Sequence, residues 1–143
     1  MKKTLIILIT TLFATQSNAE PAVVYAYDGS FDDATFSVED AIVNQGLVID
    51  YISHTGEMLK RTGKDLGAKK EIFKAADIFL FCSAVVSRKM MEADPLNIAH
   101  CPYSIFVFEN EDGVKIGHRN YPEGIMKQVQ ELLSGIVKAA IDE

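Results

Sequence analysis

The sequence predicts an α+β fold: one domain with a mainly antiparallel sheet and helices packed on one face. Three observations carry that prediction. The apolar residues switch between a period of two and a period near 3.6 along the chain, so strands and helices interleave. An acidic turn closing on Gly113 joins two alternating segments, as in a β-hairpin. The last twenty residues form one long amphipathic stripe that needs a sheet to cover. The resulting order is strand, helix, strand, helical insert, strand, short helix, strand, hairpin strand, helix, a β-α-β4-α-like arrangement with an insert.

The chain opens Met1-Lys2-Lys3, continues through an apolar stretch from Leu5 to Ala14, and reaches Ser17-Asn18-Ala19. A positive start, a short apolar core and a small-x-small exit describe a secretory signal peptide over residues 1–19, cut after Ala19. The apolar stretch is too short for a bilayer span, which needs roughly twenty residues. Glu20 follows the cut, so no cysteine is placed for a lipid anchor. Residues 20–143 are then expected to act as a single domain in a bacterial periplasm.

Val23–Tyr27 reads as a strand stopped by Asp28-Gly29-Ser30. Asp32 or Asp33 can cap the helix that follows, whose buried face is Ala34, Val38, Ala41, Ile42 and Gln45; Gly46 closes it as a C′ glycine. Leu47–Ile52 is the second strand. Thr55–Leu66 and Lys69–Ala76 read as one broken helix or two short ones, separated at Gly63 and Gly67. Asp77–Val86 is the most continuously apolar strand, and Ser87 then caps a short helix through Met90 and Met91 that Asp94-Pro95 ends. Tyr103–Glu109 and Val114–His118 flank the Asn110-Glu111-Asp112-Gly113 turn. Pro122 suits a first helical position, and Ile125, Met126, Val129, Leu132, Leu133, Ile136, Val137 and Ala140 make the final stripe.

The chain carries 14 basic and 20 acidic side chains, and losing residues 1–19 removes two of the lysines. An acidic chain repels phosphate backbones and anionic surfaces, which argues against nucleic acid and membrane as partners. The densest basic stretch, Lys60 to Lys74, is interrupted by acids and reads as a solvated helix face.

The block Met90-Met91-Glu92-Ala93-Asp94-Pro95, the run His100-Cys101-Pro102-Tyr103-Ser104-Ile105-Phe106-Val107-Phe108-Glu109 and the Asp112-Gly113 turn resemble the signature half of the domain-of-unknown-function 302 family. That family shows an apolar pair, an acidic or small residue and a proline. A Leu-Pro-x-Lys strand start, an apolar run ending in an acid and an Asp-Gly turn follow. Gly46-Leu47 through Ser53-His54 and Asp77–Phe81 resemble its earlier strands, so the likeness covers about residues 22–122. Cys82-Ser83-Ala84 stands where the family has Gly-Asn-Pro; Cys101 replaces an apolar residue and Ser104 a lysine. Thr62–Gly67 is added length, and Gly117–Pro122 departs from the family's tyrosine-x-x-proline ending. The resemblance implies a fold similar to TATA-binding-protein-like domains and no settled activity; fold alone does not fix function.

Cys82 and Cys101 are the first chemical candidates. In an exported chain two cysteines are a candidate disulfide. If the strands around them are antiparallel neighbours, the end of one lies beside the start of the next and the thiols come within reach. Two free thiols, or a redox-active or metal-binding pair, remain open; no C-x-x-C supports a thioredoxin-type mechanism. His54, His100 and His118 complete the candidate ligand set, with Met58, Met90 and Met91 as further soft donors. His100 and Cys101 are adjacent, so in an extended segment they point to opposite faces. No C-x-x-C-H excludes covalent c-type haem, and no H-E-x-x-H supports a zinc hydrolase. Non-covalent haem or copper stays open. For each histidine alone, a hydrogen-bonded structural role competes with ligation. Asp32-Asp33 and Glu39-Asp40 are read as helix-end charges, and Ser83 has no identified base.

Three functions follow as expectations. The first is a periplasmic binding or accessory protein for a small ligand or cofactor such as haem, metal or a sulfur species. The second is a non-enzymatic interaction or oligomeric module. The third is a thiol- or metal-dependent enzyme, which the missing signatures make the weakest.

Overall fold

The computed structural model describes residues 20–142. The signal peptide expected over residues 1–19 lies outside them. Five strands form one antiparallel sheet: β1 (Ala22–Tyr27), β2 (Val48–Ser53), β3 (Ala75–Cys82), β4 (Tyr103–Asn110) and β5 (Gly113–Arg119), in the order β1-β5-β4-β3-β2. The helices are α1 (Phe31–Asn44), α2 (Thr55–Gly63), α3 (Ala84–Ala93) and α4 (Lys127–Asp142), with short 3₁₀ segments at Pro95–His100 and Gly124–Met126. The fold is the expected α+β one.

Alternation along the strands sorts the two faces. Phe79 and Phe81 of β3 lie opposite Ile105 and Tyr103 of β4, and Val107 lies opposite Ile116 of β5; all six are buried. Helices α1 and α4 pack together over this face through Ala34, Val38, Ala41 and Ile42 and through Val129, Leu133, Ile136, Val137 and Ala140. The opposite face carries Phe106 and Phe108, ring centroids 6.1 Å apart, with Phe73 laid over Phe108 at 5.3 Å. Among the described residues no helix is long and apolar enough to cross a membrane.

Several boundaries differ from the sequence reading. The cap of α1 is Ser30, not Asp32 or Asp33: its hydroxyl accepts from Asp33 N–H while the Asp33 carboxylate accepts from Ser30 N–H, a reciprocal capping box. Gln45 is exposed at the C-cap, and Gly46 follows at φ +72° as expected. The second half of the insert is not helical. After α2 the chain turns back on itself through Leu66 N–H to Thr62 C=O and Ala68 N–H to Gly63 C=O, with Gly67 at φ +70°. Residues 75 and 76 belong to β3. That strand stops at Cys82 because Ser83, not Ser87, caps the next helix, accepting from Val86 N–H at 3.3 Å. Val85 and Val86 are therefore helical. Pro122 lies ahead of the last helix: Gly124 takes φ +89°, a 3₁₀ turn follows, and α4 starts at Lys127.

Candidate functional site

The end of β3 and the start of β4 are brought together by a well-fastened crossover. Ser83 starts α3, which runs to Ala93, and Asp94 caps the 3₁₀ turn by accepting from Leu96 N–H at 2.9 Å. The Asn97 side-chain amide donates to Met90 C=O at 2.8 Å, tying that turn to α3. Cys101 N–H closes it on Ile98 C=O, and the Cys101–Pro102 peptide is cis. Tyr103 then enters β4 directly opposite Phe81.

Pairing of Phe81 with Tyr103 sets Cys82, the next residue of β3, beside the start of β4 and near enough to Cys101 for the second thiol to bear on the acidity of the first. Both side chains are thiols in the structure; Cys82 is exposed and Cys101 half-buried. Ser87, one turn into α3, lies 3.5 Å from Cys101 Sγ and donates to the Tyr103 hydroxyl at 3.3 Å. A serine has one hydroxyl hydrogen. With it committed to Tyr103, Ser87 accepts from Cys101, and thiol, serine and phenol form a short relay. Tyr121 stands edge-on to Tyr103 with centroids 6.1 Å apart, and His100 packs on Tyr121 at 5.8 Å. The Tyr121 hydroxyl is buried with no hydrogen-bond partner in the structure. A buried hydroxyl without a partner carries a free-energy cost and marks a place where a ligand atom or water can gain a bond.

Burial is the main cause of the shifted acidities here. It raises the Cys82 thiol above its ordinary value, and contact with Cys101 raises it further. It pushes the Tyr103 and Tyr121 phenols up to about 12 each. The site near neutral pH is therefore rich in protons that a bound cation would have to displace.

The sequence candidates divide between three places. Cys82 and Cys101 lie near each other at this end of β3, and His100 packs on Tyr121. His118 is fully buried on the helix-covered face, opposite Ile105. Its Nδ1 lies 2.8 Å from Arg119 C=O and its Nε2 3.0 Å from Ser134 Oγ. A carbonyl only accepts, so Nδ1 carries the proton and Nε2 accepts from Ser134; burial lowers its pKa. Both nitrogens are occupied, which is a structural role. His54 sits at the other end of β3, its Nδ1 2.9 Å from Asp77 Oδ1, and that hydrogen bond is the main cause of its raised pKa. Among the described residues no three His, Cys, Asp or Glu side chains converge as a metal cage. Ser87, Tyr103 and Tyr121 are the site residues that sequence reasoning missed. The available signal was that Ser87 follows Ser83 by four residues, placing both on one side of a helix.

The chain belongs to the family described as "Domain of unknown function DUF302", whose model matches residues 23–143. A crystal structure of an uncharacterized conserved DUF302 protein from Bacillus stearothermophilus is similar to it, with a TM-score of 0.63 and 14% identity, covering 87% of this chain and 98% of that one. At that identity the likeness is one of fold. No curated protein matches the chain.

Proposed function

We propose that this chain is a periplasmic small-ligand-binding accessory protein whose ligand seat is the Cys82–Cys101 thiol pair. Export rests on the Lys2-Lys3 start, the short apolar stretch and the Ser17-x-Ala19 exit. The single observation that carries the binding reading is the juxtaposition of the two cysteines where β3 ends and β4 begins, with Ser87 placed between Cys101 and Tyr103. Soft thiolate ligands select soft ions, and two of them suit a monovalent ion that accepts linear two-ligand coordination. Copper(I) is the ligand this pair fits: the ion replaces both thiol protons, giving a bis-thiolate and two released protons with no change of oxidation state. Haem fits less well, because His118 has both nitrogens engaged and His54 is at the far end of β3.

The test is an intact native mass of protein purified from a periplasm without reductant, followed by copper(I) titration against a competing chelator. One ion per chain is expected, with affinity rising as pH rises, about tenfold per unit for each proton released. Cys82→Ser and Cys101→Ser should each weaken binding at least a hundredfold. A chain two hydrogens lighter that takes up no copper after reduction overturns the proposal, as does unchanged affinity in both variants.

A further inference from the structure

The stretch from Lys60 to Lys74 holds six of the basic side chains, Lys60, Arg61, Lys64, Lys69, Lys70 and Lys74, against two acids, in a chain that is acidic as a whole. The sequence reads it as a solvated helix face, but the fold does something else with it. α2 ends at Gly63, the chain doubles back, and Lys74 is fastened to β4 by its N–H to Glu109 C=O and by an ion pair to the Glu109 carboxylate at 3.3 Å. Between α2 and the returning segment lies a groove of about 460 Å³, within the roughly 300–1,000 Å³ range of small-ligand sites.

The groove lining is mainly hydrocarbon: Leu59 and Phe73 are half-buried in it, and Leu66 and Ile72 stand 80% and 58% exposed at its side. Lys60, Lys64 and Lys70 also line the groove, none of them in an ion pair among the described residues. Glu71 supplies one opposing carboxylate. Exposed aliphatic side chains beside unpaired cations call for an occupant with a hydrocarbon tail and an anionic head. The geometry points to a binding site for a single-chain anionic amphiphile, a free long-chain carboxylate, lying along α2 with its head among the three lysines. This site is independent of the thiol pair, since Phe73 and Cys82 are separated by the whole of β3, roughly 25 Å.

Calorimetric titration of the protein with dodecanoate below its micelle concentration tests the site. One molecule is expected to bind per chain. Octanoate, four methylenes shorter, should bind at least tenfold more weakly, since each methylene partly withdrawn from water contributes up to about fourfold. Dodecyltrimethylammonium should not bind. Lys60→Glu, Lys64→Glu and Lys70→Glu combined, or Leu66→Asp alone, change exposed positions and should each lower dodecanoate affinity at least tenfold with an unaltered circular dichroism spectrum. The inference is overturned if dodecanoate shows no saturable binding, if the cationic amphiphile binds equally well, if the triple variant binds like the parent, or if the protein attaches to phosphatidylglycerol vesicles while ignoring monomeric dodecanoate.

Discussion

His118 is a ligand candidate in the sequence and a buried strut in the fold, and its two hydrogen bonds make that distinction measurable. Burial lowers its pKa, so between that lowered value and about 6.5 the unfolded chain takes up a proton that the folded chain refuses. The stability it confers is fully present above about pH 6.5 and is lost as pH falls towards the folded value. His54 has the opposite sign: its pKa is raised by Asp77, so its contribution is present below about 6.5 and fades as pH rises through the folded value. Exposure keeps that second effect small. Urea midpoints at pH 7.5 and pH 5 should therefore fall with acid in the parent chain and fall less in His118→Gln, which itself costs about 1–3 kcal/mol at pH 7.5. An equal acid loss in both would show that His118 is not the titrating group. Sequence alone left all three histidines as ligand candidates. What separates them is which atoms lie opposite, a long-range property that no local spacing encodes.

The elements were more legible than the residues. α4 and the β4–β5 hairpin were readable because their apolar periods are unbroken and Gly113, at φ +100°, marks the turn. The misplaced boundaries lie where a local signal had a rival. Val85 and Val86 continue an apolar run, yet the cap at Ser83 turns them into helix. Ile72, Phe73, Ala75 and Ala76 mimic helical spacing, yet Ala75 and Ala76 are claimed by pairing with Glu109 and Phe108. The nearness of the two cysteines was foreseeable from strand adjacency, whereas Ser87, Tyr103 and Tyr121 converge only through the crossover of α3 and its 3₁₀ turn. Two substitutions test how the elements are held. Ser30→Ala removes the α1 cap and should cost about 1 kcal/mol. Gly117→Ala should cost more, about 1–3 kcal/mol, because a Cβ there would meet Val23 O at 2.5 Å and the Phe106 ring at 2.6 Å. Chemical denaturation ranks the two, and a neutral Gly117→Ala would mean that β1 and Phe106 can move aside.

At the scale of the whole molecule, the two cysteines join segments that the sequence keeps apart by a helix and a 3₁₀ turn, and the sheet brings them back to one end of β3. The proximity on which the proposed cation site rests also suits oxidation: two thiols give up two protons and two electrons to an added disulfide such as oxidised glutathione and become bonded to each other. On the proposed function, metal uptake and oxidation would compete for one pair of sulfurs. Closing the loop between Cys82 and Cys101 restricts the unfolded chain, and for eighteen intervening residues the chain-entropy account gives roughly 3 kcal/mol. Pairing of β3 with β4 already brings the two cysteines near each other in the folded chain, so the bridge asks for local rearrangement only. Oxidised protein should accordingly show a higher urea midpoint than reduced protein, with an equal or smaller slope because the bridged unfolded chain exposes less surface, and should take up no copper until it is reduced. Cys82→Ser and Cys101→Ser should lie at or below the reduced midpoint and form no internal bridge, the remaining thiol giving at most a mixed disulfide with glutathione. A midpoint that does not respond to oxidation, with the bond confirmed by mass, would mean that the bridge strains the α3 crossover by as much as it restrains the unfolded chain. Copper uptake by the oxidised form would place the metal site elsewhere in the molecule.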